Sequence, residues 1–124
     1  MKTKMKSTLL LLAIGITTVM AQTEREEKFK VAGNCGMCET RIENAATAVE
    51  GVKEADWDRE TRMLKLMFDP GRTTLHKVQM AIAATGHDTE MHRASDKVYN
   101  ALPDCCKYER LEYAEKMNES PVED

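Results

Sequence analysis

Two cysteines separated by two residues, Cys35-Gly36-Met37-Cys38, stand where an apolar-alternating stretch hands over to an amphipathic run. That junction narrows the possible folds, because a strand that feeds a dithiol straight into a helix turns both sulfurs toward one point. Gly36 lets the loop curl at little steric cost. The helix start presents unpaired backbone N–H groups and the positive end of its dipole, both of which favour thiolate over thiol. On this reading Cys38, nearest the first turn, is the more acidic sulfur, and Cys35 is the more exposed one that first meets a partner. A thiolate pair of this kind suits a soft d¹⁰ cation, with Cu(I) first and Hg(II) chemically as good.

The rest of the chain supplies a scaffold for that loop. Lys28 to Gly33 reads as a first strand with Phe29 and Val31 on one face. Ile42, Ala45, Ala46 and Val49 recur at helical spacing, and Gly51 ends that helix. Val52, Ala55 and Trp57 mark a second strand, Asp58-Arg59-Glu60-Thr61 a turn, and Leu64, Leu66 and Phe68 the inward face of a third strand. After Asp69-Pro70-Gly71, Thr73 or Thr74 can cap a second helix carrying Leu75, Val78 and Ile82; Gly86 stops it, and His87 to His92 reads as a short last strand. The order β-α-β-β-α-β predicts an α+β, ferredoxin-like sandwich: a four-stranded antiparallel sheet with two helices on one face. Beyond Ala94 the chain predicts a C-terminal helical tail, with a short helix over 95–102, a break at Pro103-Asp104, the pair Cys105-Cys106, and a solvated helix over 107–117.

The N-terminus reads differently. Lys2, Lys4 and Lys6 precede a short apolar core from Leu9 to Ile16, and Val19-Met20-Ala21 offers a cleavage site, so residues 1–21 are expected to be a signal peptide. The apolar run is shorter than the roughly 20 residues a membrane span needs. The expected organisation is therefore a leader (1–21), a short linker (22–27), one domain (28–93) and a Cys-Cys tail (94–124), with export to the periplasm or beyond. The chain carries 18 basic and 21 acidic side chains, net −3, and loss of the three leader lysines takes this to −6. That balance excludes a phosphate-tracking nucleic-acid protein and a cationic membrane-surface peptide.

From Gly33-Asn34-Cys35-Gly36-Met37-Cys38, with Glu50-Gly51-Val52, Phe68-Asp69-Pro70 and Ala84-Thr85-Gly86-His87, the chain resembles the heavy-metal-associated domain family over about residues 28–92. The family includes periplasmic mercury-binding proteins, copper chaperones and the N-terminal domains of metal-transporting P-type ATPases. The resemblance implies the ferredoxin-like fold, metal ligation by Cys35 and Cys38, and a metal-transporting ATPase or another thiol-bearing protein as partner. It also places His87 at the corner from which family members put a side chain near the metal. The family pattern usually reads Gly-Met-x-Cys-x-x-Cys. Here Gly33-Asn34 replaces the methionine that normally supports the loop. The Cys105-Cys106 segment lies outside the usual domain and is similar to a tail carried by some exported bacterial members.

Several assignments stay open on sequence. His87 is a candidate third ligand or a hydrogen-bond donor to a bound sulfur, whereas His76 and His92 have no cysteine predicted nearby. Cys105 and Cys106 can complete a Zn(II) site, serve as a second hand for the metal, or pair with Cys35 and Cys38 in disulfides. Met37 is expected to pack beneath the loop. No acid/base constellation supports an enzyme. The chain is expected to be a monomer or a metal-bridged dimer, and a disulfide-bonded interaction module with no metal is the alternative from a different class.

Overall fold

The computed structural model describes residues 15 and 23–112; the rest of the expected leader and the end of the tail lie outside the described residues. The elements, in chain order, are β1 (Arg25–Lys30), α1 (Gly36–Thr47), β2 (Val52–Trp57), β3 (Met63–Phe68), α2 (Leu75–Ala83) and α3 (Asp96–Asn100), followed by a 3-10 turn over Asp104–Cys106. Among the described residues the three strands form one antiparallel sheet in the order β1-β3-β2.

The third strand organises the sheet because its alternation is the cleanest in the chain. Leu64, Leu66 and Phe68 are buried while Lys65 between them is exposed. On one side Phe29 pairs with Leu64 and Lys30 with Met63; on the other Trp57 pairs with Leu64 and Ala55 with Leu66. A register shift between Val52 and Glu54 explains why the second strand alternates poorly in sequence. The inward side chains meet Ile42 and Ala46 of α1 and Val78 and Ile82 of α2 in a single cluster. At about 25 cal/mol per Å² of apolar surface, such burial is the main stabilising term for a domain of this size.

The ends of these elements follow from local chemistry. The Asp58 carboxylate accepts from the Glu60 and Thr61 amides, both at 2.8 Å, and so closes the β2–β3 hairpin. Thr74, one of the two threonines expected to cap α2, does so: its hydroxyl accepts from the Lys77 amide at 3.2 Å. Gly51 at φ +99 and Gly86 at φ +112 follow the two helices in conformations that L side chains rarely adopt.

Two expectations about the sheet change. The first strand begins at Arg25, within the segment read as a linker, because Arg25, Glu26 and Glu27 pair with Phe68, Met67 and Leu66. The expected fourth strand reduces to one antiparallel bridge, Val31 with Thr89. Side chains occupy the groups a longer ladder would use: Glu90 accepts from the Lys30 amide at 2.8 Å, and the Thr89 hydroxyl accepts from the His92 amide at 3.0 Å.

The tail is likewise less helical than expected. Only α3 and the 3-10 turn are helical between Ser95 and Leu111, and residues 107–111 run as irregular chain. That segment is docked onto the domain, with Leu102, Cys106, Tyr108 and Leu111 joining the core. None of the described helices is long and apolar enough to cross a membrane.

Candidate metal centre

The end of β1 and the start of α1 deliver the dithiol. Cys35 sits at the N-cap in extended backbone, φ −134 and ψ 178, and Cys38 lies one turn in, on the buried face shared with Ile42 and Ala46. The loop has an indole floor. Trp57 donates its ring N–H to the Val31 carbonyl at 3.0 Å, and a Cβ at Gly33 would stand 3.0 Å from the indole edge and 3.2 Å from the Cys38 Cβ. Gly33 is thus the residue that admits Trp57, which supports the loop where the family methionine is missing.

The two sulfurs lie 3.5 Å apart. Their environments are opposite, and the expected order of acidity is reversed. The Cys35 thiol is drawn down to about 6, chiefly because the Cys38 backbone amide in the first turn faces it. Burial pushes the Cys38 thiol up to about 11. Closeness to the helix start favoured both sulfurs, but only Cys35 combines those amides with access to water. Cys35 is the half-exposed member of the pair, as expected, and Cys38 is fully buried.

The docked tail brings more sulfur. Cys106 is fully buried with its Sγ 3.6 Å from that of Cys35, and Cys105 is exposed with its Sγ 3.9 Å from that of Cys106. Cys35, Cys105 and Cys106 have ligand atoms within 4.8 Å of one another, and all four cysteines are free thiols. Met37, expected beneath the loop, is instead 54% exposed, and its thioether accepts from the Cys105 thiol at 3.7 Å.

His87 stands next to this group without facing a sulfur. Its Nδ1 meets the Ala32 carbonyl at 2.9 Å and its Nε2 lies 3.4 Å from Arg41 Nη1. A carbonyl partner makes Nδ1 the protonated nitrogen and leaves Nε2 to accept from the guanidinium. Burial lowers the His87 pKa, so the ring is neutral. Arg41 also donates to Cys106 Sγ at 3.4 Å, so the histidine reaches the sulfurs through Arg41. His76 and His92 lie elsewhere and contact each other, Nε2 to Nδ1, at 3.0 Å.

Sequence reasoning missed the parts that hold the tail in place. Tyr108 donates its hydroxyl proton to the Gly86 carbonyl at 2.6 Å and accepts from the Asp88 amide at 2.9 Å, while its ring stacks on His87. Arg110 grips the buried Asp88 carboxylate with Nε at 2.9 Å and Nη2 at 2.8 Å, and also donates to the Ala94 carbonyl. These partners are 22 residues apart, so no local pattern announces them. Arg41 was open to detection, since it lies three residues after Cys38 on the same helix.

A dithiol at a strand–helix junction, set on a β-α-β-β-α frame, defines the heavy-metal-associated domain, whose family model matches residues 28–88; the chain belongs to that family. The copper chaperone CopZ of Staphylococcus saprophyticus is 32% identical over 65 residues, 52% of this chain and 96% of that protein. The mercuric transport protein periplasmic component of Pseudomonas aeruginosa is 29% identical over 82 residues, 66% of this chain and 90% of that protein. Among solved structures, oxidised MerP from Ralstonia metallidurans CH34 aligns with a TM-score of 0.52 and 29% identity, over 54% of this chain and 94% of that one.

Proposed function

We propose that this chain captures a soft cation at Cys35 and Cys38 and passes it on by thiolate exchange, without acting as an enzyme. The observation that carries this reading is the pair itself: two sulfurs 3.5 Å apart, one acidic and reachable, the other buried. Cys35 is largely thiolate at neutral pH and makes the first bond. Cys38 gives up its proton as the cation arrives, and the second bond draws the ion inward. A partner thiolate then adds to form a three-coordinate intermediate, and one original sulfur leaves, so the ion is never free.

Cu(I) is the proposed cargo, in keeping with the copper chaperone among the relatives and with the affinity of d¹⁰ ions for thiolate. Hg(II) is the second reading, supported by the mercuric transport relative. Zn(II) requires further ligands at the site. The proposed partner is a metal-transporting ATPase or another thiol-bearing trafficking protein, steered by charge complementarity to the acidic chain. The basic and apolar composition of residues 1–21 supports export to the periplasm, with the domain and its Cys-Cys tail as the mature protein.

The test is anaerobic titration of Cu(I), in competition with a chelator, into wild type and a Cys35→Ser/Cys38→Ser double variant. Stoichiometric binding by wild type and its loss in the variant are expected. Equal uptake by both proteins would overturn the assignment.

A further inference from the structure

We propose that Cys106 is a third sulfur ligand, which the docked tail presses onto Cys35 and Cys38 to make a closed three-sulfur site with Arg41 as its counter-charge. This rests on the reading that Cys35 and Cys38 hold the cation, and it adds a ligand from outside the 61-residue stretch that the family model matches, residues 28–88.

Distance is the first support. With metal–sulfur bonds of about 2.3 Å, a linear two-coordinate ion needs its sulfurs about 4.6 Å apart, and a trigonal ion needs about 4.0 Å. Cys35 and Cys38 are 3.5 Å apart and Cys35 and Cys106 are 3.6 Å apart. Those two edges need to lengthen by only about 0.4–0.5 Å to suit a trigonal ion, against about 1 Å for a linear ion on the pair alone. Cys35 is the sulfur common to both close contacts, with Cys38 on one side of it in the helix and Cys106 brought to it by the tail.

The second support is that Cys106 is held there. Pro103 starts the 3-10 turn, and the Cys106 amide donates to the Pro103 carbonyl at 2.8 Å. Two residues on, the Tyr108 hydroxyl ties the chain to Gly86 and Asp88; two further on, Arg110 forks onto the Asp88 carboxylate. On the other side of the turn, Leu102 packs over Gly86, where an added Cβ would stand 2.9 Å from its side chain. Anchors before and after Cys106 all converge on residues 86–88, beside the dithiol.

Charge is the third support. A buried cysteine that serves only as a small apolar filler wants apolar neighbours. Cys106 instead receives a guanidinium hydrogen bond at 3.4 Å, from an arginine that also contacts the neutral His87 ring. Three thiolates around a monovalent ion carry −2 and around a divalent ion −1. Arg41 offsets one of those charges in a water-poor site, where an uncompensated anion is costly. Cys105 lies within 4.8 Å of Cys35 and Cys106, but it is exposed at the mouth with its thiol on the Met37 thioether at 3.7 Å, so the third bond is assigned to the buried Cys106.

X-ray absorption of the full-length reduced protein loaded anaerobically with Cu(I), and separately with Hg(II), tests the proposal. Wild type is expected to show three sulfur neighbours. Cys106→Ala should fall to two and bind at least about tenfold more weakly in chelator competition, and Cys105→Ser should keep three. Two sulfurs in wild type, or an unchanged count in Cys106→Ala, would overturn the third ligand while leaving the dithiol site intact. Full affinity in Cys35→Ser/Cys38→Ser would overturn the underlying site as well. The wild-type count needs no variant, so a folding defect in Cys106→Ala leaves the test standing.

Discussion

Replacing Tyr108 with Phe isolates the force that holds the tail over the dithiol. The ring is expected to keep its stacking on His87 and its edge contact with Tyr99, 5.5 and 5.0 Å between centroids, so packing is conserved. Only the hydroxyl is lost. It is a donor to the Gly86 carbonyl at 2.6 Å and an acceptor from the Asp88 amide at 2.9 Å, both in the buried interior. Leaving a buried polar group without its partner costs about 1–3 kcal/mol, so two of them cost about 3 kcal/mol in total, towards the lower half of that range because the loosened tail admits water. At 1.4 kcal/mol per decade, the population of the opened tail rises about 100-fold. The assay is alkylation of the Cys106 thiol, followed by mass spectrometry under conditions where the rest of the domain stays folded. In wild type Cys106 is fully buried and reacts only when the tail lifts. An alkylation rate in Tyr108→Phe within threefold of wild type would refute the claim that this hydroxyl pins the tail.

The remaining predictions concern the loop, the acidic helix face and a glycine. Alkylation of the reduced protein near pH 6 should mark Cys35 first, with a midpoint of about 6, because the Cys38 amide favours its thiolate; Cys38, pushed to about 11 by burial, should react last, and the reverse order would contradict the site electrostatics. Glu43 is raised to about 6 by burial and by neighbouring Glu39 and Asp56, so the folded state binds its proton more tightly than the unfolded chain does. The stability it contributes is full below about 4.5 and is lost as pH rises through about 6. Glu43→Gln should therefore raise stability by about 0.5 kcal/mol at neutral pH, after solvent screening of a half-buried side chain, and by nothing at pH 4, as read from denaturant midpoints. Gly86→Ala should cost at least about 2 kcal/mol, since it forces a side chain into φ +112 and against Leu102, and a melting temperature equal to wild type would count against that contact.

The strands and helices that frame the loop could be read from period alone. Leu64, Leu66 and Phe68 alternate, and Ile42 and Ala46 repeat at helical spacing, because one face of each element is buried and the other is wet. Three features escaped that logic. The first turn of the first strand is polar, and it is strand only because β3 lies beside it. The fourth strand shrank to a bridge because the side chains of Glu90 and Thr89 took backbone hydrogen bonds that a ladder would have used. The ranking of the two thiols inverted because nearness to the helix start was weighed above burial, and burial outweighs the backbone amides at Cys38. Candidate residues fared similarly. Cys35 and Cys38 announce themselves by spacing, and the tail cysteines by adjacency, but their convergence depends on Asp88 meeting Arg110 and on Tyr108 reaching Gly86. Such contacts join distant parts of the chain and leave no periodic trace.

The docking of the tail also bears on where this protein can be cut. A recombinant fragment ended at residue 88, where the family match stops, would keep the dithiol and lose the roof. The Asp88 carboxylate, the Gly86 carbonyl and the His87 ring would then face solvent instead of Arg110 and Tyr108. Affinities and exchange rates measured on such a minimal module would describe an opened vessel, whereas the native chain carries its own cover.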